Sequence, residues 1–384
     1  MVYIRNHLGD VEMRMQDYVK YSPEKLGENF QKRDELISGV ANLFLKKKYL
    51  SITLIASGSS YNALAMIQDS LQEMIKKPVY LHTPEYVMQF DIAYRESTFI
   101  VVVSQSGSST NIINCLQYLQ KNGIFEVSLT GNLDSQMSKY SQEIFDYGPG
   151  NEYVDYVTVG VQTLVEFFLL LGCKISNLDS KQKEDFYKQL QQTITYQKEL
   201  MAKTEKFIKD NYFALSMKNP TFFCGNGPNY GVAREGALKF QETLKRPAMY
   251  YELEEFLHGP DMQLTPNHTV FLIDDMPVSG KSRFSEVFEA LKEITPNVFF
   301  ITNSNQLEKD HRILKTPAAD SWFFEPYYSL PVVQLVAAKM TDELQAWATH
   351  PYFDKFDQKI AIKTDDYDNE IKNIKQKWDL DHKS

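Results

Sequence analysis

The sequence predicts an α/β protein made of two parallel sheets, each flanked by helices in three layers, flavodoxin-like in form. Three observations carry this. Apolar strands alternate with helical patterns at βα spacing, Gly/Ser turns follow the leading strands, and the design restarts past the middle of the chain. In the first half, residues 51–55 run into Ser57-Gly58-Ser59-Ser60, with Leu64, Ile67, Leu71 and Ile75 behind at helical spacing. Residues 99–103 feed Ser104-Gln105-Ser106-Gly107-Ser108-Ser109, followed by Ile112, Ile113, Leu116 and Leu119. Further strands are expected at 126–129 and 144–145. In the second half, residues 221–224 lead into Gly225-Asn226-Gly227-Pro228-Asn229 and a helix carrying Val232, Ala233, Ala237, Leu238 and Phe240. Later strands are expected at 269–273, 298–301 and 322–324.

These patterns divide the chain into an N-terminal helical segment (1–45), a first α/β domain (46–180), a helical connector with one wet face (181–210), a second α/β domain (211–346) and a charged tail (347–384). In the tail, Asp354, Asp357, Asp365, Asp366, Asp368 and Glu370 alternate with lysines, the composition of a solvated end.

Bulk composition excludes several classes. A chain of 384 residues, 43% of them hydrophobic, is long enough for two cores. The net charge of -9 argues against a nucleic-acid partner, which needs a dense cationic face. Three scattered cysteines, with no CxxC pair, fit a reducing compartment and offer neither a disulfide framework nor a zinc site. No apolar run reaches the roughly twenty residues of a membrane span, and the start of the chain lacks a signal-peptide core. The expectation is a cytoplasmic protein with no membrane partner.

The loop 104–110 is the richest chemical feature. Four serines and a threonine stand where a strand gives way to a helix, whose first N–H groups and positive dipole end favour an anion. A single serine would serve as an ordinary N-cap; this many hydroxyls point to phosphate. Ser57-Gly58-Ser59-Ser60, at an adjacent strand end, completes a cradle where α/β sheets bind ligands. No Gly-Lys-Ser/Thr follows these serine turns, and they lack the GxGxxG pattern, so no nicotinamide or flavin cofactor is expected. No His/Cys/Asp cluster offers a metal site. Glu235, Lys239 and Glu242 share one helix face, a spacing equally suited to a surface ion pair or a catalytic group. His258 falls in a Gly-Pro turn.

Read together, Ser57–Asn62, Ser104–Gly107, Arg234–Glu242 and Glu255–Pro260 resemble, in order and spacing, the isomerase half of glucosamine-6-phosphate synthase. The chain is identified on these motifs, from about residue 47 to 347, as a member of the double sugar-isomerase (SIS) domain family. The resemblance implies that Ser60, Ser104, Gln105, Ser106 and Ser109 hold a sugar phosphate, Ser109 standing where the synthase has threonine. It implies that Glu242 moves a proton between C1 and C2. His258 would assist ring opening across a homodimer interface, and Glu235 and Lys239 would flank the reacting end. Ser59, Glu152 and Thr158 would be further substrate contacts.

Three departures qualify it. No glutaminase domain precedes the first SIS domain, and Val2 stands where its cysteine nucleophile would be. Val159 replaces a lysine of the synthase. The synthase lysine that forms a Schiff base could correspond to Lys355, Lys359, Lys363 or none of them. Residues 250–266, YYELEEFLHGPDMQLTP, are more similar to the stand-alone fructosamine- and glucoselysine-6-phosphate deglycases. The implied function is therefore an amino-sugar-phosphate deglycase or isomerase. An aldose-ketose phosphate isomerase, a glucosamine-6-phosphate deaminase and a non-catalytic sugar-phosphate sensor are the alternatives.

Overall fold

Parallel strands buried on both faces need near-continuous apolar runs. β1 (Ser51–Ile55), β3 (Thr98–Val103), β6 (Thr221–Gly225), β8 (Thr269–Asp274) and β9 (Val298–Thr302) supply them, each buried at every position. The computed structural model describes residues 13–90, 92, 95–150, 152, 156–274, 282–304, 309–318, 321–365 and 367. The first twelve residues and the chain beyond 367, on which the expectation about a signal sequence and part of that about the charged tail rest, lie outside the described residues, as do Val154 and Asp366.

With β2 (Val79–His82), β4 (Val127–Thr130) and β5 (Glu143–Asp146), the first sheet runs β2-β1-β3-β4-β5, all parallel. With β7 (Ala248–Tyr251) and β10 (Ile313–Lys315), the second runs β7-β6-β8-β9-β10, the same order, again all parallel. This is the expected doubly wound, flavodoxin-like arrangement, present twice.

The helices of the first half are α1 (Met15–Gln31), α2 (Arg33–Leu45), α3 (Gly58–Ile75), α4 (Pro84–Phe90), α5 (Thr110–Lys121) and α6 (Val159–Ile175). Next come α7 (Ser180–Asp210), α8 (Tyr212–Ser216), α9 (Pro228–Glu242), α10 (Leu253–Phe256), α11 (Arg283–Leu291), α12 (Pro326–Glu343) and α13 (Phe353–Ile360). α7 opens on a reciprocal cap: Asp179 Oδ1 accepts the Gln182 N–H and Gln182 Oε1 accepts the Asp179 N–H, both at 2.9 Å. α3 and α9 hold equivalent places in the two halves and pack on each other at Gly231, where a Cβ would stand 2.6 Å from the backbone nitrogen of Met66. One apolar cluster therefore runs through both halves, from Leu54 and Met66 to Phe240 and Val336.

One strand expectation needs correction. Residues 322–324 form a turn of 3-10 helix, because Ser321 Oγ accepts the Phe323 N–H and Pro326 starts α12 immediately after. The second sheet ends instead on β10, three residues long. The edge strands β2 and β7, both partly exposed, lie outside the strands expected from the sequence. Among the described residues no helix is long and apolar enough to cross a membrane.

α6 is buried along nearly its whole length and carries Glu166 inside the core. Burial pushes this carboxyl well above the usual range, against the opposing pull of Asn29 and Lys25. Above the ordinary carboxyl range the unfolded chain has released this proton while the folded chain keeps it, so the group's stability contribution falls as pH rises toward its native value. Glu166→Gln is therefore expected to raise the melting temperature relative to wild type by an amount that grows from pH 5 to pH 8. A difference that stays flat over that range would show that Glu166 is not held protonated.

Candidate active site

The carboxyl ends of β1 and β3 open into a cavity of about 670 Å³, within the usual size of a small-molecule site. The turn after β1 contributes Ser57, Gly58, Ser59 and Ser60, and the loop after β3 contributes Ser104, Gln105, Ser106, Ser109 and Thr110. The five residues expected at a phosphate, Ser60, Ser104, Gln105, Ser106 and Ser109, thus come together on one wall. The loop is pinned from behind. Gly131 N–H donates to Gln105 O and Met137 N–H to Gly107 O, both at 2.9 Å. Gly107 has φ +66°, and a Cβ there would stand 1.9 Å from Ser135 Oγ, so only glycine lets the chain turn at this point. Ser109 occupies the N-cap of α5 without a side-chain cap bond.

The opposite wall comes from the second half of the chain. Leu238 and Glu242, in the last turn of α9, line the cavity. Behind them lies Lys239, fully buried, its Nζ 3.1 Å from Glu235 Oε1, 2.5 Å from Glu242 Oε1 and donating to Ser59 Oγ at 3.2 Å. The spacing alone allowed a surface pair; burial by α3 removes that possibility. Glu235 lies outside the cavity lining and is held by Asn62, whose Nδ2 donates to Glu235 Oε2 at 2.8 Å. Asn62 Oδ1 in turn accepts from Arg234 Nε, so α3 locks the acid–base face of α9 in place.

These neighbours set the charges. Burial pushes the Lys239 ammonium down, but Glu235 and Glu242 together push it up further, and the net direction is up. For Glu242, burial raises the carboxyl above the usual range and Glu235 adds to the rise, while Lys239 opposes it. A carboxyl raised toward neutrality, half-buried at a cavity wall, can accept a proton and return it.

Glu152 also lines the cavity, but its acceptors are engaged. Oε1 takes the Thr158 and Val159 N–H groups at 2.7 and 3.0 Å; Oε2 takes Gly160 N–H at 3.3 Å and Gln105 Nε2 at 2.8 Å. It therefore caps α6 and orients Gln105. Burial pushes its carboxyl up, and these four bonds oppose the shift. Thr158 is buried and reaches the site only through Glu152. His258 is exposed, its Nδ1 2.6 Å from Glu254 O, and it does not line the cavity of its own chain.

The sequence reading missed Asn111, Asn114 and Asn132, which add amides to the cavity. Asn111 Nδ2 donates to Ser57 Oγ at 2.9 Å and to Glu85 Oε1 at 3.1 Å, tying the two serine turns together. Its place beside the expected helix start was the available signal. The described part of the tail also departs from a freely solvated end. α13 is exposed throughout, but Ile360, Ala361, Ile362 and Lys363 return to form part of the cavity wall. Of the three candidate tail lysines, Lys363 reaches the cavity; Lys355 lies over the Tyr352 ring, and neither it nor Lys359 lines the cavity.

The SIS domain model matches this chain twice, over residues 44–170 and 214–322. Glutamine–fructose-6-phosphate aminotransferase [isomerizing] of Legionella pneumophila is 26% identical over 314 residues, covering 76% of this chain and 49% of that protein. The chain thus spans about half the length of the curated relatives it matches. Among solved structures, a candidate phosphosugar isomerase of Clostridium difficile superposes with a TM-score of 0.81 at 24% identity, over 90% of this chain and 98% of that one. The C-terminal domain of glucosamine-fructose-6-phosphate aminotransferase from Francisella tularensis gives 0.75 at 18% identity, over 90% and 100%. These likenesses speak for the fold, and the two matched segments, each containing one of the parallel sheets, establish that the chain belongs to the SIS domain family.

Proposed function

We propose that this protein is an enzyme acting on a 6-phosphorylated hexose-amine adduct of the fructosamine or glucoselysine type. One observation carries the reading: a single cavity has the serine turns of the first half on one wall and Glu242 of the second half on the other. The hydroxyls and helix N-terminus suit the phosphate, and Glu242 suits the carbon chain. With the amine on C1 and a carbonyl at C2, Glu242 takes a proton from C1 and returns it to C2. The imine is left at C1, and water hydrolyses it to an aldose 6-phosphate and the free amine. With the amine on C2, the same shift runs from C2 to C1 and yields the ketose 6-phosphate. His258 would open the sugar ring if a second copy of the chain brought it to the cavity, as the resemblance implies.

Incubation with fructoselysine 6-phosphate, glucoselysine 6-phosphate and glucosamine 6-phosphate tests this, with hexose phosphate and released amine assayed together. Turnover of an amine adduct is the expected result. Loss of the amine from glucosamine 6-phosphate alone would favour a deaminase. If none is turned over while hexose phosphates still raise the melting temperature, the protein is a sensor. Ser104→Ala combined with Ser106→Ala should weaken glucose 6-phosphate binding by about 10-fold or more, at about 1 kcal/mol per lost hydrogen bond, and leave any glucose binding unchanged. Equal affinity for glucose 6-phosphate before and after would refute the cradle.

A further inference from the structure

The phosphate cradle as built from loops 57–60 and 104–110 contains no basic residue. Among the described residues lining the cavity, Glu152 and Glu242 are carboxylates and Lys363 is the sole cation. A phosphate monoester brings about 1.5 to 2 further negative charges at neutral pH; Lys239, buried behind the wall and paired with Glu235 and Glu242, does not line the cavity, so Lys363 is the cation placed to meet them. Lys363 Nζ donates to Ser106 Oγ at 2.8 Å and to Ser109 Oγ at 3.3 Å, two hydroxyls of that cradle.

Its position is enforced by the main chain on both sides. Thr110 N–H donates to Ile362 O at 3.1 Å, Thr364 N–H to Ser108 O at 3.0 Å, and Thr110 Oγ1 to Ala361 O at 2.6 Å. Ser109 and Lys363 pair as an antiparallel bridge. Residues 361–364 therefore lie as a strap on the first turn of α5, and the lysine side chain leaves the strap toward the serines.

We infer that Lys363 is a binding residue for the substrate's phosphate, delivered to the serine cradle by the C-terminal strap. Hydroxyls can reverse from accepting the ammonium to donating to phosphate oxygens, and the ammonium then supplies a charge-assisted bond to the same group. The strap also takes the Thr110 N–H, a donor at the end of α5 otherwise open to an anion, and places a full charge beside it.

The inference rests on the sugar-phosphate reading of the cavity, and titration calorimetry on the full chain separates the two. Wild type is expected to bind glucose 6-phosphate and not glucose; failure of that preference removes the functional reading itself. Given that preference, Lys363→Met should weaken glucose 6-phosphate by about 10- to 100-fold, the span of a hydrogen bond to a charged group, and Lys363→Arg should restore most of it. Undiminished affinity in Lys363→Met would overturn the assignment. Borohydride reduction in the presence of fructose 6-phosphate supplies a second readout. A sugar adduct trapped on Lys363 would place its Nζ at the keto carbon instead of the phosphate and would equally overturn it.

Discussion

Glu242→Gln is expected to lower kcat for an amino-sugar phosphate by about 10²- to 10⁴-fold, the contribution of a positioned general base. Glucose 6-phosphate should still bind, because the serine turns proposed to hold its phosphate form the opposite wall of the cavity. The amide keeps the size of the carboxylate, and Lys239 retains Glu235 at 3.1 Å, so the fold should tolerate the change. The pH profile adds a second criterion. Burial holds the Glu242 carboxyl above the usual range, so activity on the acid side should fall at a higher pH than an exposed carboxylate would give. Stopped assays from pH 4 to pH 8 measure both quantities. A variant that keeps wild-type kcat would remove Glu242 from the chemistry.

Lys239→Met should have the largest effect on stability. Its ammonium is wholly buried between two carboxylates, and removing it strands Glu235, which has no exposed surface of its own. Breaking a buried ion pair from one side costs about 3–5 kcal/mol, and the urea midpoint should fall accordingly. Lys239→Met with Glu235→Gln should recover a large part of the loss, since the stranded charge is then gone. Equal midpoints for the single and double variants would show that the loss comes from packing. Because Lys239 opposes the rise of the Glu242 carboxyl, its removal should also move the acid limb of the activity profile to higher pH. On the proposed chemistry Lys239 would act through Glu242, as a positioning residue.

The contrast between those two residues shows what could be read from the sequence. The serine turns were legible because a βα turn is local: an apolar strand, a glycine and the following helix fix where the hydroxyls go. Lys239 was not, because Glu235, Lys239 and Glu242 have the same spacing on a wet face as on a dry one. Only α3, far away in sequence, decides which it is. The same holds for β2 and β10. Val79–His82 is partly exposed at a sheet edge and Ile313–Lys315 is three residues long, so neither makes the continuous apolar run that marks β3 or β8. Trp322-Phe323-Phe324 makes such a run in miniature, yet the Ser321 cap and Pro326 bend it into a helical turn. Lys363 stood undistinguished among three candidate tail lysines, since which of them reaches the cavity depends on where the strap returns.

The close packing of α3 on α9 at Gly231 fixes more than the core. The serine turns belong to one half and Glu242 to the other, so this helix contact sets how far apart the two walls of the cavity stand. On the proposed function the two walls would work as a caliper. If the serines hold the phosphate as proposed, glucose 6-phosphate and a five-carbon analogue would present the same group to them, and only one chain length would bring C1 and C2 level with Glu242. Substrate length would then be selected at a glycine that touches neither end of the sugar.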